Sequence, residues 1–575
     1  MHRCLRLIEV VAIICQDLDD KKSLAWLAQV SQNLKEPALD ALYADIENIV
    51  DLLRSFPSHV LSLEEHPPNK PILLARQQPA RADRDKVLSY TSRVRCLNEQ
   101  VFGSESAVPP PETADAMCEW IRPTSFLFPK LRKVCISLQH VGYYHFVTTF
   151  ITGPSLLHLE LDECYKPLLF RCAPNLASMC PSLETLIITC DIHQTDDEDN
   201  VNIHIPAALE NLRGWPNLRS INYGPLDCDS LVYLSRLPTL RSLTIPVTRY
   251  SSWINSPTCG YFGSLDHLTL KVADYQVGVI AVMKLFSRSD GLRARLRSLR
   301  LHVLMCQSDE VLLSTPSPLA PITAALATYL CRTTLKEFFV SQHNSPDVGI
   351  ATAFIDHFQS LFPLTSFTAL THLTTRDYGN GWGDTFQLTE SKLLELLRHW
   401  PALEIIDCAT QSISLSGIIA ILRLCPRIRS VMVSATFCLD DVLEYLFGEE
   451  WSPGMPLTFI DIPCHNTSLT DAKLKFQPHD VVSPGAVQTV AIFFSRVAPN
   501  LAPSVRCGSL AYTVQQDFWD AVYAVMAPLR SGLWDGFHNA LLPLTQTLYL
   551  RFCCCKRCHN FEECLMTNLR CSRCL

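Results

Sequence analysis

The chain lacks any excess of positive charge. It carries 49 lysines and arginines against 57 acidic residues, a net charge of -8. That balance provides no broad electrostatic footprint for nucleic acid. Local basic patches exist; one, "GLRARLRSLRL" at 291–301, keeps a leucine spacing and reads as core plus hydrated face. No apolar run approaches the roughly 18 residues a membrane helix needs. At the start, "MHRCLRLIEVVAIIC" offers Arg3 and Arg6 before an apolar run. Glu9 interrupts that run, and Asp17, Asp19 and Asp20 stand where small residues would guide cleavage. A secretory signal is not expected. Glycine is scarce, with 20 in 575 residues. The sequence has no GxxxxGK[ST] phosphate loop, no GxGxxG, no GxSxG elbow and no HExxH helix. Neither a catalytic role nor a cofactor is expected, and partners exclude nucleic acid and membrane. Catalytic groups can converge from distant parts of a chain, so an enzyme with dispersed residues stands as a further reading.

What is present is apolar bulk, 48% of the residues, enough for a large core. The length allows several domains or one elongated one. The expected compartment is reducing, cytoplasmic or nuclear. There the 25 cysteines are thiols, eighteen of them scattered as small core residues.

The N-terminus reads as three amphipathic helices. Leu7, Ile8, Val11, Ile14 and Leu18 form one stripe, and Leu24, Leu27 and Val30 another. Asp19 or Asp20 can cap the second helix. After a "SQNLKE" break, Pro37 suits the first turn of a third helix carrying Leu39, Leu42, Ile46, Ile49 and Leu53. About fifty residues rarely support an independent core. These stripes need a second surface, either the rest of this chain or another protein.

The block from Leu5 to about Phe56, "LRLIEVVAIICQDL" then "DDKKSLAWLAQVSQNLKEPALDALY", resembles the F-box of mushroom-type fungal proteins. The following "DRDKVLSYTSRVRCL" at 83–97 resembles the segment after that box. The family commonly opens with Leu/Ile-Pro, where this chain has Leu7-Ile8. The resemblance implies docking on a Skp-family adaptor and through it on a cullin–RING ubiquitin ligase. It implies an adaptor-facing set of Leu7, Ile8, Val11, Ile14, Leu24, Leu27, Val30, Pro37, Leu39 and Leu42.

Two proline-rich stretches, "EEHPPNKP" and "SAVPPPETADA", read as linkers. The acidic "HQTDDEDN" at 193–200 reads as a hydrated insertion, not a metal site. From Leu131 a signature recurs: aliphatic, two residues, aliphatic, one residue, aliphatic. It appears as "LRKVCI", "LLHLEL", "LETLII", "LRSINY", "LRSLTI", "LDHLTL", "LRSLRL", "LKEFFV", "LTHLTT", "LEIIDC" and "IRSVMV". Proline often stands two residues earlier, at 181, 216, 238, 401 and 426. Period-two alternation marks a strand with one buried side. Helical patterns lie between. Thr389 is a candidate cap for Leu393, Leu396, Leu397 and Trp400, and Ser416 for Ile418, Ile421, Leu422 and Cys425. Successive signatures are 22 to 39 residues apart, against about 20–29 for leucine-rich repeats. Such units must stack to bury their apolar sides. A doubly wound α/β domain would require more regular βαβ spacing and a ligand-binding turn.

The fold class expected is α/β: a short three-helix F-box (1–56), a linker and connecting helix (57–125), and an irregular leucine-rich-repeat solenoid (126–470). Its parallel strands would lie inside and its helices outside. A C-terminal repeat or cap region (471–552) and a Cys-rich tail (553–575) follow. The concave sheet would be lined by His158, Glu160, Asn222, Thr244, His267, Thr269, Ser298, Arg300, His372 and Asp407, a mixed set suited to a protein target. "HLE" at 158–160 matches half of a zinc-deaminase signature, but the paired-cysteine half is missing downstream. In the tail, Cys555, Cys558, Cys571 and Cys574 have spacings that can bind zinc. Cys553, Cys554, His559 and Cys564 blur that assignment, and an unstructured tail is the alternative. The expected function is a substrate receptor of an SCF-type ubiquitin ligase. The rival is an interaction scaffold whose helices merely cap their own body.

Overall fold

In the computed structural model, the structure describes residues 8–47, 52, 56–64, 72–99, 113, 116, 119–120, 127–138, 152–163, 175–190, 205–224, 226–248, 251–256, 261–272, 275–287, 293–305, 319–344, 357–377, 388–408, 413–434 and 471–475. The chain divides into two units. One comprises Met1–Lys271 and Met283–Ala294, the other Val272–Val282 and Arg295–Leu575. Both are α/β, built on parallel strands with helices between them.

The first unit opens with helices α1 (Ile8–Gln16), α2 (Lys21–Val30) and α3 (Gln32–Leu42). Asp20 caps α2, its carboxylate accepting from the backbone N–H groups of Lys22 and Ser23 at 3.2 and 3.0 Å. Ser31 alone separates α2 from α3, accepting from Asn33 N–H at 3.3 Å. That cap starts α3 five residues before Pro37, which therefore lies inside the helix and not in its first turn. The expected long stripe also stops early. α3 ends at Leu42, and Ile46 belongs to a short strand, β1 (Asp45–Ile46). Ile49 and Leu53 lie outside the described residues.

An antiparallel hairpin, β2 (Leu61–Glu64) with β3 (Ile72–Ala75), flanks the first proline-rich stretch. Helix α4 (Arg81–Thr91) then leads into β4 (Cys96–Glu99), which pairs with β1. The signature strands follow: β5 (Lys133–Leu138), β6 (His158–Glu163), β7 (Thr185–Cys190), β8 (Ser220–Asn222), β9 (Ser242–Val247) and β10 (His267–Val272). The order is β1-β4-β5-β6-β7-β8-β9-β10. Between them stand α5 (Leu176–Met179), α6 (Ile205–Arg213) and α7 (Cys228–Ser235); α8 (Tyr275–Phe286) follows β10.

In the second unit β11 (Ser298–Met305), β12 (Glu337–Asn344), β13 (His372–Asp377), β14 (Ile405–Cys408), β15 (Ser430–Ser434) and β16 (Asp471–Lys475) pair in sequence, all parallel. The connecting helices are α9 (Ala320–Tyr329), α10 (His357–Leu361), α11 (Glu390–Leu397) and α12 (Leu415–Leu424). Thr389 holds the cap position of α11, but its hydroxyl makes no capping bond to the helix backbone and lies 3.4 Å from Ser391 Oγ. Ser414, not Ser416, caps α12, accepting from Gly417 N–H at 3.1 Å. Glu390 of the preceding repeat in turn accepts from the Ser414 backbone N–H and hydroxyl at 2.6 and 3.0 Å. A Cβ on Gly417 would strike that carboxylate.

Two backbone devices repeat. Each recurrent proline occupies the second place of a turn, where its fixed φ fits. The residue before it accepts from the N–H that opens the signature: Cys180 from Leu183 at 3.3 Å, Trp215 from Leu218 at 3.3 Å, Trp400 from Leu403 at 3.0 Å. Next, the carbonyl just before most strands accepts from two successive N–H groups at the start of the following strand. Leu157 receives Glu184 and Thr185 at 2.8 and 2.9 Å, and Thr371 receives Glu404 and Ile405 at 2.7 and 3.0 Å. This pairing fixes register before any side chain acts. Side chains then lock it, because a one-residue slip would turn every leucine to the other face. Leu159, Leu186, Ile221 and Leu243 are all at 0% exposure along one row. Each such side chain stabilises the fold by roughly 1.5–3 kcal/mol. Tryptophans tie turn to turn: Trp215 Nε1–H donates to the Cys180 carbonyl at 2.9 Å, and Trp400 Nε1–H to that of Leu364 at 3.2 Å.

Candidate functional site

The opening helices own a small core: Val11, Cys15, Leu24 and Ala38, with Leu18, Leu27, Ala28, Leu34, Ala41 and Leu42 packed around it. α3 holds them to the rest of the unit. Arg93, just past α4, binds the carboxylates of Glu36 and Asp40 and donates to the Glu36 carbonyl at 3.4 Å. The Arg93 bond holds the Glu36 carboxyl below its ordinary range. Tyr43 packs against Tyr90 with the rings tilted and their centroids 5.0 Å apart. With α3 engaged on that side, α1 and α2 leave large apolar groups in solvent: Ile8 60%, Ile13 58%, Ile14 41%, Trp26 68% and Val30 72% exposed.

This divides the adaptor-facing set that the resemblance implies. Ile8, Ile14 and Val30 are exposed, while Leu27, Leu39 and Leu42 are half-buried. Val11, Leu24 and Pro37 are buried within the helices themselves. Leu7 lies outside the described residues. Ile13 and Trp26 were missed in the sequence because they fall off the apolar stripes. The only signal was their size on a nominally polar face.

The polar side of each sheet carries the third and fifth residues of the signature. In the first unit His158 pairs with Lys133 and Thr185, and Glu160 with Cys135 and Ile187. Asn222 pairs with Thr244, and Ile187 separates it from Glu160. Asn222, Thr244 and Thr269 are half-buried and His267 is exposed. In the second unit Arg300 is exposed and His372 half-buried. Ser298 and Asp407 are buried, so they offer little surface to a target. Ser298 Oγ donates to Glu337 at 2.8 Å, which explains its withdrawal. Nearby, Ser341 Oγ and His302 Nδ1 lie 2.7 Å apart.

One group on the polar side of the first unit converges. Cys135, His158 and Glu160 place Sγ, a ring nitrogen and a carboxylate oxygen within 4.8 Å of one another. The Cys135 thiol donates to Glu160 Oε2 at 3.2 Å, and His158 Nε2 stands 3.4 Å from the same oxygen. Burial, then the bond to Glu160, pushes the thiol up to about 12. Burial and the Asp45 carboxylate likewise push Cys96 up to about 11. Cys135 was not singled out from sequence, although "LRKVCI" written above "LLHLEL" puts it beside Glu160. The tail residues Cys555, Cys558, Cys571 and Cys574 lie outside the described residues.

No family model matches the chain, and no curated protein matches it. Among the described residues no helix is long and apolar enough to cross a membrane.

Proposed function

We propose that the protein is the substrate-recognition subunit of an SCF-type cullin–RING ubiquitin ligase. The opening helices act as an F-box that binds a Skp-family adaptor. The repeats act as an irregular leucine-rich-repeat solenoid whose polar side binds a target protein. The observation that carries this reading is the set Ile8, Ile13, Ile14, Trp26 and Val30, all exposed on two adjacent helices. Five large apolar side chains exposed on two short helices are more than scattered surface hydrophobics require, and such exposure marks candidate interaction surfaces. The F-box resemblance of the segment that carries them supplies the occupant. The chain itself performs no chemistry in this reading. It raises the effective concentration of target beside the ubiquitin-carrying subunits, in the cytoplasm or nucleus where they work.

Co-purification with a Skp-family adaptor is the test. Wild-type chain should retain the adaptor. The double substitution Ile14→Asp with Trp26→Asp should reduce capture by about 10-fold or more, as loss of a central apolar anchor does. Failure of the intact chain to capture any Skp-family adaptor would remove the reading. A second reading, a scaffold without a ligase role, is favoured by the Arg93 clasp and by β1, both of which fasten the helices to their own body. Under it the double substitution changes no association.

A further inference from the structure

We propose that Cys135, His158 and Glu160 bind a zinc-type divalent cation, with a water completing the shell and donating to Asn98. The three residues come from neighbouring strands, β5 and β6, and β4 adds Asn98 in register with Cys135. Tetrahedral zinc at ordinary bond lengths separates its ligand atoms by roughly 3.3–3.8 Å. The sulfur–oxygen and nitrogen–oxygen separations here are 3.2 and 3.4 Å. Two separations thus lie close to those of a tetrahedron, and the third, sulfur to ring nitrogen, is within 4.8 Å.

A thiol–carboxylate hydrogen bond alone would account for Cys135 and Glu160. It leaves Asn98 unexplained. Asn98 Oδ1 is buried and has no hydrogen-bond partner, a costly state for a carbonyl oxygen. It sits one strand over on the same side of the sheet, next to Cys135, where a metal-bound water has protons to give. Donor chemistry selects the cation. One sulfur, one imidazole and one carboxylate suit zinc, whereas magnesium and calcium require oxygen shells. Binding releases the Cys135 proton to solvent and uses the neutral His158 lone pair. Thiolate and carboxylate then balance the two positive charges. Access is open, since the Glu160 side chain is 42% exposed and that of His158 25%. The cation would pin β5 to β6, and through the water reach β4, on the side of the sheet proposed to meet targets. The fourth position, held only by water, is where a target's own donor atom can enter.

Cobalt(II) is the probe, added to the reduced full-length chain with all seven tail cysteines changed to serine. The expected result is one equivalent bound, with a thiolate-to-cobalt charge-transfer band and intense tetrahedral ligand-field bands. Zinc should displace it and excess magnesium should not. Cys135→Ser should abolish the charge-transfer band, and His158→Gln should weaken binding at least 10-fold. Asn98→Leu should weaken it by about 10–100-fold, as outer-shell substitutions do. A folded chain that shows no such band, or a band that survives Cys135→Ser, overturns the site. If Cys135→Ser fails to fold by circular dichroism, His158→Gln at a half-exposed position decides, and undiminished binding there also overturns it. Adaptor capture is read separately and should not respond to these substitutions.

Discussion

The opening helices and the strands that follow them bury apolar groups on very different scales. In the helices only Val11, Cys15, Leu24 and Ala38 form the buried centre, and five large apolar side chains remain in water. In the repeats each strand hands its leucines to the next, and Leu97, Val134, Leu159, Leu186, Ile221 and Leu243 run as an unbroken row at 0% exposure. The strand rows complete their own interior, although Ile280, Met283 and Phe362 on the connecting segments stay exposed. The helices do not, and rely on Arg93, the Tyr43–Tyr90 contact and β1 to stay in place. A segment with little interior is free to offer its outside to something else.

The sharpest way to probe that contrast is to remove a keystone from the repeats. Trp400 is fully buried and hydrogen-bonded turn to turn. Trp400→Ala should cost about 3–5 kcal/mol, plus an orphaned Leu364 carbonyl, and should lower the urea midpoint of the second unit. In the helices, Leu24→Ala removes one of four core members and should cost about 2–4 kcal/mol. The loss should appear as faster amide exchange across α1–α3, with the strands beyond β4 keeping their protection. Equal loss of protection in both regions would mean that the helices are not a separable unit.

The clasp comes next. Arg93→Ala should cost about 1 kcal/mol, since its acidic partners are exposed and solvent screens the pairs. Glu36 has a lower pKa folded than unfolded. Its contribution is therefore present above the ordinary glutamate range and lost as pH falls through the folded value. The difference between wild type and Arg93→Ala should shrink below about pH 4 and in high salt.

The contrast between the two regions was legible in sequence only on one side. Every signature from "LRKVCI" to "IRSVMV" becomes a strand, because period-two aliphatics specify the face, and where a turn proline precedes them it fixes the entry point. Leu393, Leu396 and Leu397 are buried on α11 as its spacing predicts, and Trp400 is buried just past the helix end. Strands β1, β4 and β16 escaped notice. Their pairing comes from neighbours tens of residues away, and "DI" or "CLNE" carries no period of its own. α3 was drawn too long because Ile46 fits a helical step as well as it fits a strand. Cys135 escaped because one cysteine in an apolar frame reads as core. Only the register to Glu160 shows that it lies on the polar side.

The smallest expected effect on stability sharpens the comparison most. Ile13→Asp and Trp26→Asp alter side chains that are 58% and 68% exposed. Surface substitutions away from caps and cores usually change stability by less than about 0.5 kcal/mol. Removing exposed apolar groups should leave the urea midpoint and helical circular dichroism as they were, and should improve solubility. A drop of more than about 2 kcal/mol would be of core-substitution size and would show that these side chains pack against the chain's own body in solution. The helices would then be a cap, and the open side on which the proposed adaptor binding depends would not exist.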